Sequence, residues 1–346
     1  MLELRPIFDA IGEFLNSILP EFWVTIVSAF GTGAIILGVA SVFVLFFVWW
    51  ERKVSAHMQQ RYGPMRTGWH GWLQTIADGV KLLQKEDLIP RDADKLVYLF
   101  APVVCFVAAF LAYVTIPFGE GLIVQDLNIG ILYIIAITTF TVVSLLMAGW
   151  ASHNKWSLLG GMRSAAQIIS YEVPLSLSLI GVIMIAETLS MVSIVVQQEG
   201  WFWNWYVFRQ PLGFIVYYIA ATAEANRTPF DIPEAEQELV AGYNVEYSGM
   251  KWAMFFFAEY INMLTISAIA VTLFFGGWHA PAPFLDFIPS WIWFVGKCLL
   301  SVFVLMWFRW TYPRVRVDQL MAFAWKFMLP LAFVNIILTG FGIYLF

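Results

Sequence analysis

Long apolar segments recur along the chain, and short polar segments separate them. A helix that crosses a membrane needs about 20 mostly apolar residues, and eight segments meet this requirement: 22–50, 96–117, 129–150, 158–187, 207–226, 251–275, 289–309 and 327–346. None shows the alternation that is typical of barrel strands, and a single helix satisfies its own backbone in lipid. The pattern therefore predicts an all-α, polytopic membrane protein, with one membrane domain over residues 1–346.

The first loop contains a shorter segment of a different kind, which predicts a helix over about residues 69–86. Its apolar positions recur at helical spacing and are Trp69, Trp72, Leu73, Ile76, Val80 and Leu83. The other face carries Gln74, Asp78, Lys81 and Lys85. Such an amphipathic helix is suited to the membrane interface. Packing of the helix against other loops is the alternative, and the two arrangements are compatible.

The composition supports a membrane protein and narrows its chemistry. The 346 residues are 60% hydrophobic and 12% charged, whereas soluble domains are about 25% charged. Two cysteines, Cys105 and Cys298, are too few for an iron–sulfur cluster, and no span carries paired histidines that could ligate haem. The sequence contains no phosphate loop or dinucleotide motif. We therefore expect this chain alone to bind no flavin, haem, iron–sulfur cluster, metal or nucleic acid.

Positive residues concentrate in alternate loops, and this bias predicts the orientation in the membrane. The loops after the first, third, fifth and seventh spans hold Arg52, Lys53, Arg61, Arg66, Lys81, Lys85, Arg91, Lys95, Lys155, Arg227, Lys251, Arg309, Arg314, Arg316 and Lys326. The other side holds only Arg5 and Arg209. We therefore expect these four loops to face the cytoplasm or an equivalent compartment, and both termini to face the outer side.

The loop over about residues 224–250 is the most acidic part of the chain. Glu224 ends the fifth predicted span and Glu259 lies inside the sixth; the acids between them are Asp231, Glu234, Glu236, Glu238 and Glu246. Pro229 and Pro233 end any helix here, and Asp231 could cap a new short one. Broken backbone at membrane depth must line a cavity or be buried in protein. A solvated acidic loop is the alternative for the middle acids.

Charged residues also lie inside the fourth predicted span. Arg163 and Glu172 are nine residues apart, so they point to nearly opposite faces of a straight helix. Each therefore needs a partner from another helix or from internal water, unless Arg163 extends to the membrane surface. Ionisable residues in a membrane mark functional sites by default. Together with Glu224 and Glu259, Glu172 predicts a set of buried carboxylates that exchange protons and titrate together.

Several motifs in these same regions resemble one family. They are Glu51-Arg52-Lys53, Arg61-Tyr62-Gly63-Pro64, Ala77-Asp78 with Lys81, Ser170-Tyr171-Glu172-Val173, the run from Ala223 to Asp231, Glu246-Tyr247 and Ala258-Glu259-Tyr260. Together they resemble the H subunit (mitochondrial subunit 1) of respiratory complex I, NADH:quinone oxidoreductase. The resemblance covers all eight predicted spans. Met65 departs from the family, which usually has Asn after Gly-Pro.

The resemblance implies a subunit that forms the floor and entrance of the quinone chamber and couples quinone reduction to proton translocation. Quinone is then the substrate. The expected partners are the subunit with the terminal iron–sulfur cluster, the peripheral quinone-site subunit, small membrane subunits and antiporter-like subunits, besides lipid. The expected location is an energy-transducing membrane, the bacterial inner (plasma) membrane. The resemblance does not fix the electron donor or the quinone type.

Site residues carried over from the resemblance form three groups. The proton relay comprises Glu172, Glu224, Asp231, Glu234, Glu236, Glu238, Glu246 and Glu259. The quinone passage comprises Arg52, Arg61, Trp69, Trp72, Ile76, Asp78 and Lys81. The organisation of the loops involves Glu51, Arg163 and Arg227. No residue of this chain alone is expected to be catalytic.

Three other functions stay open at this point. One is the homologous component of a membrane-bound hydrogenase or a related complex. The second is a secondary transporter with the broken fifth segment as its substrate site, although no inverted repeat is visible. The third is a structural anchor for assembly. Co-purification with flavin and iron–sulfur subunits would distinguish a complex I subunit from a transporter.

Overall fold

The computed structural model describes residues 20–232 and 241–345, and this part of the chain is built from helices, without a strand. The α-helices are α1 Glu21–Met58, α2 Gln74–Gln84, α3 Lys95–Leu111, α4 Gly130–Ala151, α5 Lys155–Ala186, α6 Met191–Val196, α7 Tyr206–Arg209, α8 Pro211–Glu224, α9 Gly249–Phe274, α10 Ser290–Thr311, α11 Val317–Phe323 and α12 Leu329–Leu345. A π-helical turn, Ala324–Met328, joins α11 to α12. Short 3-10 helices cover Trp69–Gly71, Ala112–Val114, Phe202–Asn204, Gly242–Asn244 and Pro283–Leu285.

Seven helices within these residues are long and apolar enough to cross a membrane. They are Phe22–Met58, Lys95–Val114, Gly130–Ala151, Lys155–Ala186, Gly249–Phe274, Ser290–Thr311 and Val317–Leu345. The predicted class, an all-α polytopic membrane protein, is confirmed. Seven of the eight predicted spans correspond to these helices.

The fifth predicted span, 207–226, differs from the others because its helix is interrupted. After α7 the chain breaks at Gln210 (φ −130°, ψ 53°), and α8 has 14 residues, about 21 Å at 1.5 Å per residue. Pro211 cannot donate a backbone hydrogen bond, which permits the break. The side-chain amide of Gln210 donates to the hydroxyl of Thr339 in α12 at 2.5 Å. The apolar composition continues through the break, so hydropathy alone does not reveal it.

The helix predicted over 69–86 also begins later than expected. His70 (φ 53°) and Gly71 (φ 78°) have left-handed backbones, so a 3-10 turn precedes α2 instead of its first α-helical turn. A Cβ on Gly71 would lie 2.1 Å from the carbonyl oxygen of Pro64, which explains why glycine is required there. The apolar face is nevertheless continuous and exposed, with Trp69 79%, Trp72 49%, Leu73 52%, Ile76 49%, Val80 46% and Leu83 67% accessible.

Buried tyrosines tie the helices together across the bundle. In a membrane, a hydroxyl that donates to a neighbouring helix has no water to replace its partner. The pairs are Tyr113 to the carbonyl of Ile261, Tyr217 to Ile266, Tyr218 to Ser301 and Tyr171 to Leu320, at 3.1, 2.9, 2.7 and 3.1 Å. These bonds link the turn Ala112–Val114 to α9, link α8 to α9 and α10, and link α5 to α11.

The first and fifth loops meet at one end of the bundle, which we call the charged end. Tyr98 donates to the carbonyl oxygen of Glu246 at 2.7 Å, and Lys251 pairs with Asp87 at 2.8 Å. The hydroxyl of Ser248 accepts from the amide of Leu88 at 3.2 Å. The two loops therefore lie on the same side, as the charge pattern predicts. Loops 115–129, 187–205 and 275–289 lie at the opposite end.

Candidate functional site

Four charged side chains and a phenol meet at the charged end and form a group that we call the arginine cluster. Its members are Glu51, Arg227, Glu259, Arg309 and Tyr260. Arg227 donates to both oxygens of Glu51 at 3.0 and 3.1 Å, and its Nε lies 2.9 Å from Oε1 of Glu259. Arg309 forms a second ion pair with Glu51, and Tyr260 donates to Glu51 at 2.8 Å.

The members of the arginine cluster come from four different parts of the chain. Glu51 lies near the end of α1, Glu259 and Tyr260 lie in α9, and Arg309 lies in the last turn of α10. Arg227 belongs to the turn after α8 and is 3% exposed, while the side chain of Glu51 is 6% exposed. The cluster contains two acids and two arginines, so it is neutral as a whole. Burial alone would lower the pKa of Arg227, but the carboxylates of Glu259 and Glu51 hold that pKa well above its ordinary value.

A further ion pair extends the cluster toward the surface. Arg314 donates to Asp231 at 2.9 Å, and the amide of Val315 donates to the carbonyl of Pro229 at 3.1 Å. The loop after α10 therefore holds the segment after α8. Burial raises the pKa of Asp231, although Arg314 opposes this shift. Arg227 and Asp231 therefore have separate ion-pair partners, although they are close in sequence.

Gln167 of α5 holds the turn that carries Arg227. Its amide nitrogen donates to the carbonyls of Ala223 at 2.8 Å and Phe230 at 2.6 Å, and it approaches Oδ1 of Asn226 at 3.2 Å. Asn226 has a left-handed backbone (φ 52°). One side chain thus fixes both ends of the turn between Glu224 and the arginine cluster. Sequence reasoning gave Gln167 no role, although a buried amide in an apolar span needs polar partners.

Glu224 and Glu172 lie on the other side of this turn, in a less charged setting. Glu224 lies within hydrogen-bonding reach of Thr138 and close enough to Glu172 for electrostatic repulsion. Thr139 donates to Glu172 at 2.5 Å. Among the residues that the structure describes, neither acid has an ion-pair partner. This is the main electrostatic difference between these two acids and Glu51 or Glu259.

Glu224 also borders a cavity of about 30 Å³, which we call the Glu224 cavity. It lies between α4, α5, α6, α8 and α9. Its lining residues are Ile131, Ile134, Ile135, Thr138, Leu175, Leu179, Met191, Tyr217, Glu224, Asn262, Thr265, Ile266, Ile269 and Leu273. Since a water needs about 10–15 Å³ of such space, the cavity has room for about two waters. The carboxyl of Glu224 can therefore connect to Thr138 or Asn262 through water.

The remaining predicted relay acids are distributed differently. Glu246 accepts from Asn154 at 2.6 Å, so it attaches the fifth loop to the turn before α5. Arg163, which was predicted to organise the loops and not to belong to the relay, lies in α5 and is half-buried. Glu234, Glu236 and Glu238 lie outside the described residues, as does the short helix predicted after Asp231.

The predicted passage residues lie on and beside α2. Arg52 donates to Asp78 at 2.7 Å, Lys81 lies 3.7 Å from Asp78, and Gln74 donates to it at 3.2 Å. Burial would raise the pKa of Asp78, but the hydrogen bond and charge of Arg52 lower it overall. The structure thus joins three of the predicted residues into one polar face opposite the exposed apolar face.

Arg61 does not take part in these contacts with Asp78. Its side chain donates to Gln59 at 2.6 Å instead. The segment after it lines an open groove. The lining residues are Tyr62, Gly63, Pro64, Met65, Arg66, Thr67 and Gln74. At the position where the family usually has Asn, the sulfur of Met65 lies 3.0 Å from the ammonium nitrogen of Lys53.

Two further members of the site had no assigned role in the sequence. In the sequence, Arg309 contributes only to the positive charge at the end of the seventh predicted span, and Arg314 contributes only to the positive charge of the following loop. The signal that could identify Arg309 is its position in the last turn of an apolar helix, where a cation needs a partner.

Over residues 20–232 and 241–345, no group of three His, Cys, Asp or Glu is arranged to hold a metal ion.

Comparisons with known proteins place the chain in a family. The sequence pattern of the NADH dehydrogenase family matches residues 32–340. The first of the H subunits of NADH-quinone oxidoreductase in Geobacter sulfurreducens is 51% identical over 326 residues, which are 87% of this chain and 92% of the relative. The H subunit of the same enzyme in Geobacillus kaustophilus is 51% identical over 319 residues, 92% of this chain and 95% of the relative. These matches confirm the resemblance seen in the motifs, and the chain belongs to the H-subunit family of NADH-quinone oxidoreductase, the enzyme known as complex I.

Proposed function

We propose that this subunit forms the quinone passage and the floor of the quinone chamber, and that it couples quinone reduction to proton translocation. The observation that carries the coupling role is the contrast between two neighbouring groups of acids. Glu51 and Glu259 are matched by arginines. Glu224 instead faces Thr138 and a small cavity, and Glu172 accepts a hydrogen bond from Thr139. Acidic residues within membrane segments are typical of proton relays.

The two groups of acids are joined by a short stretch of structure. Arg227 lies three residues after Glu224, and Gln167 fixes the turn between them. A change in charge at the arginine cluster therefore acts on a rigid turn whose other end carries Glu224. Reduction of quinone leaves negative charge at the chamber head. That charge attracts Arg227 and Arg309 and thereby competes with the carboxylates of Glu51 and Glu259 for these arginines. As a result, the nearby acids change their protonation.

The passage role is supported by the two faces of α2. Its exposed apolar side offers tryptophan and aliphatic groups to an isoprenoid tail. Its polar side carries the Arg52–Asp78–Lys81 contacts, which suit a polar head group. Electrons reach the quinone through partner subunits, since quinone reduction needs a redox centre and this chain supplies only the passage and the coupling.

The orientation in the membrane is part of the same proposal. The charged end holds most of the positive residues, so it faces the cytoplasm by the positive-inside rule. The opposite end then faces the periplasm, with both termini. This puts the quinone passage on the side where NADH is oxidised.

The substitution Glu224→Gln tests the coupling role. It keeps the size and much of the hydrogen bonding, while it removes the carboxyl group that can take up and release a proton. We expect normal amounts of the complex on native gels and normal NADH–ferricyanide activity, which reports electron transfer upstream of quinone. NADH–quinone activity and proton pumping should be largely lost. Glu120→Gln, at an exposed position on the opposite end, is the matched control and should retain both.

Two outcomes would contradict the relay role. Wild-type quinone activity and pumping with Glu224→Gln would show that the carboxyl is dispensable. Loss of the complex from the native gel together with loss of ferricyanide activity would make Glu224 a structural residue instead.

A further inference from the structure

The residues that line the Glu224 cavity are spread along the bundle axis. Its lining residues on α4 run from Ile131 to Thr138, and those on α9 run from Asn262 to Leu273. At 1.5 Å per residue these stretches are about 10 and 16 Å long. Thr138 and Asn262 lie toward the charged end, beside Glu224. Ile131 and Leu273 lie toward the opposite end.

The chemistry of the lining changes along this axis. Oxygen-bearing side chains lie at the end with Glu224, whereas the far half is aliphatic. We call that half the apolar plug; it consists of Ile131, Leu179, Met191, Ile269 and Leu273, which are 2%, 2%, 1%, 8% and 0% exposed. Apolar cavities stay dry. The cavity has room for about two waters, and we therefore expect them at the Glu224 end.

Hydroxyls next to the plug are already engaged by backbone. Tyr217 donates to the carbonyl of Ile266 at 2.9 Å, and Thr272 donates to Ala268 at 3.0 Å. Thr265 donates to Ile261 at 3.0 Å. Because their protons are used in these bonds, they do not extend a hydrogen-bonded chain into the plug.

Polar groups resume immediately beyond the plug. Ser190, next to Met191, donates to Asp126 at 3.0 Å. Glu187 is exposed nearby, at the end of α5. The plug therefore lies between the Glu224 end of the cavity and the polar surface of the opposite end.

We propose that the apolar plug is a proton barrier that determines from which side Glu224 exchanges its proton. The inference rests on the proposed relay role of Glu224. A relay acid that reached water at both ends would let protons flow back across the membrane. The plug prevents this because a proton cannot cross several aliphatic side chains without a hydrogen-bonded partner, so exchange occurs only toward the charged end.

The test places a polar group in the middle of the plug of the intact complex. Ile269→Asn is compared with Ile269→Leu, which keeps the position aliphatic. The purified complex is reconstituted in liposomes that contain a pH-sensitive dye, and the decay of an imposed pH gradient is followed without NADH. We expect decay about tenfold faster for Ile269→Asn, equivalent to a barrier about 1.4 kcal/mol lower, and wild-type decay for Ile269→Leu. During NADH–quinone turnover the gradient should fall while electron transfer continues.

Met191→Gln, with Met191→Leu as its control, repeats the experiment from α6 and keeps the side-chain length. It provides the measurement if Ile269→Asn lowers assembly. Wild-type gradient decay in both polar variants would overturn the barrier. Equal leaks from the polar and the aliphatic variants would overturn it as well, since packing damage alone would then account for the leak.

Adding Glu224→Gln to Ile269→Asn separates this inference from the proposed function. If Glu224 is the group that passes the proton, the double variant should lose the leak. A leak that persists in the double variant would support the barrier but contradict the relay role of Glu224.

Discussion

The substitution Glu51→Gln should destabilise the subunit, because this carboxylate balances two arginines at once. Arg227 and Glu51 are almost fully buried, at 3% and 6% exposure of their side chains, whereas Arg309 is 34% exposed. Removing the charge leaves the arginine cluster with one excess buried positive charge. Glutamine fits the space and can accept only part of the hydrogen bonding from Arg227 and Tyr260.

The expected cost follows from this burial. Leaving one partner of a buried ion pair unmatched costs about 3–5 kcal/mol. Arg227 keeps Glu259, and the partly exposed Arg309 is screened by solvent, so we expect the lower end, about 3 kcal/mol. At about 1.4 kcal/mol per factor of ten, that is on the order of a hundredfold in the folded population. Domains are stable by only about 5–15 kcal/mol, so assembly should fall strongly.

The assay compares native-gel amounts of the complex and membrane NADH–ferricyanide activity in three variants. Glu51→Gln should lower both, and Glu120→Gln should leave both unchanged. The double variant Glu51→Gln with Arg309→Gln removes one charge of each sign and restores neutrality, so it should recover a large part of the assembly. Wild-type assembly with Glu51→Gln, or a double variant no better than the single one, would refute the reasoning.

Two further predictions concern the passage and the opposite end. Ile76→Asp puts a charge on the exposed apolar face of α2 and should weaken the use of long-tailed quinones more than that of short-tailed ones, at equal assembly. Ile76→Leu is the control. Equal loss of activity with both tail lengths would mean that α2 only packs against the protein. Burial lowers the pKa of His279 below 6.5 in the folded subunit, so the unfolded chain binds more protons and this contribution to stability is lost as pH falls below about 6.5. Thermal inactivation of the complex should therefore accelerate between pH 7.5 and 5.5 less in His279→Gln than in wild type, and an unchanged pH dependence would contradict this.

The fold class could be predicted from the sequence because hydropathy is a local property. Seven of the long apolar segments correspond to helices, since each satisfies its own backbone and needs no partner to be recognised. The exception is the segment with Gln210. There the composition stays apolar while the backbone breaks, and the hydroxyl of Thr339, distant in sequence, accepts the hydrogen bond from its side chain.

The acidic residues of the membrane region could be predicted as functional candidates from the sequence, because a charge in lipid is costly wherever it lies. Glu224, Glu172 and Glu259 all qualify on that ground. The sequence did not distinguish them, since that depends on the nearest cation. In the structure Glu259 has Arg227 at 2.9 Å, while Glu224 has Thr138 and the cavity.

Sequence alone thus determined that this chain is a helical membrane protein with acidic residues in or beside its apolar segments, and its motifs indicated the family. Only the tertiary structure decided the partners: Arg227 pairs with Glu51, 176 residues away, and Asp231 pairs with Arg314. It also decided that the cavity beside Glu224 is polar at one end and aliphatic at the other. The physical reason is that ion pairs and cavities form between helices that pack together, and the order of residues along one helix does not encode which helix lies beside it.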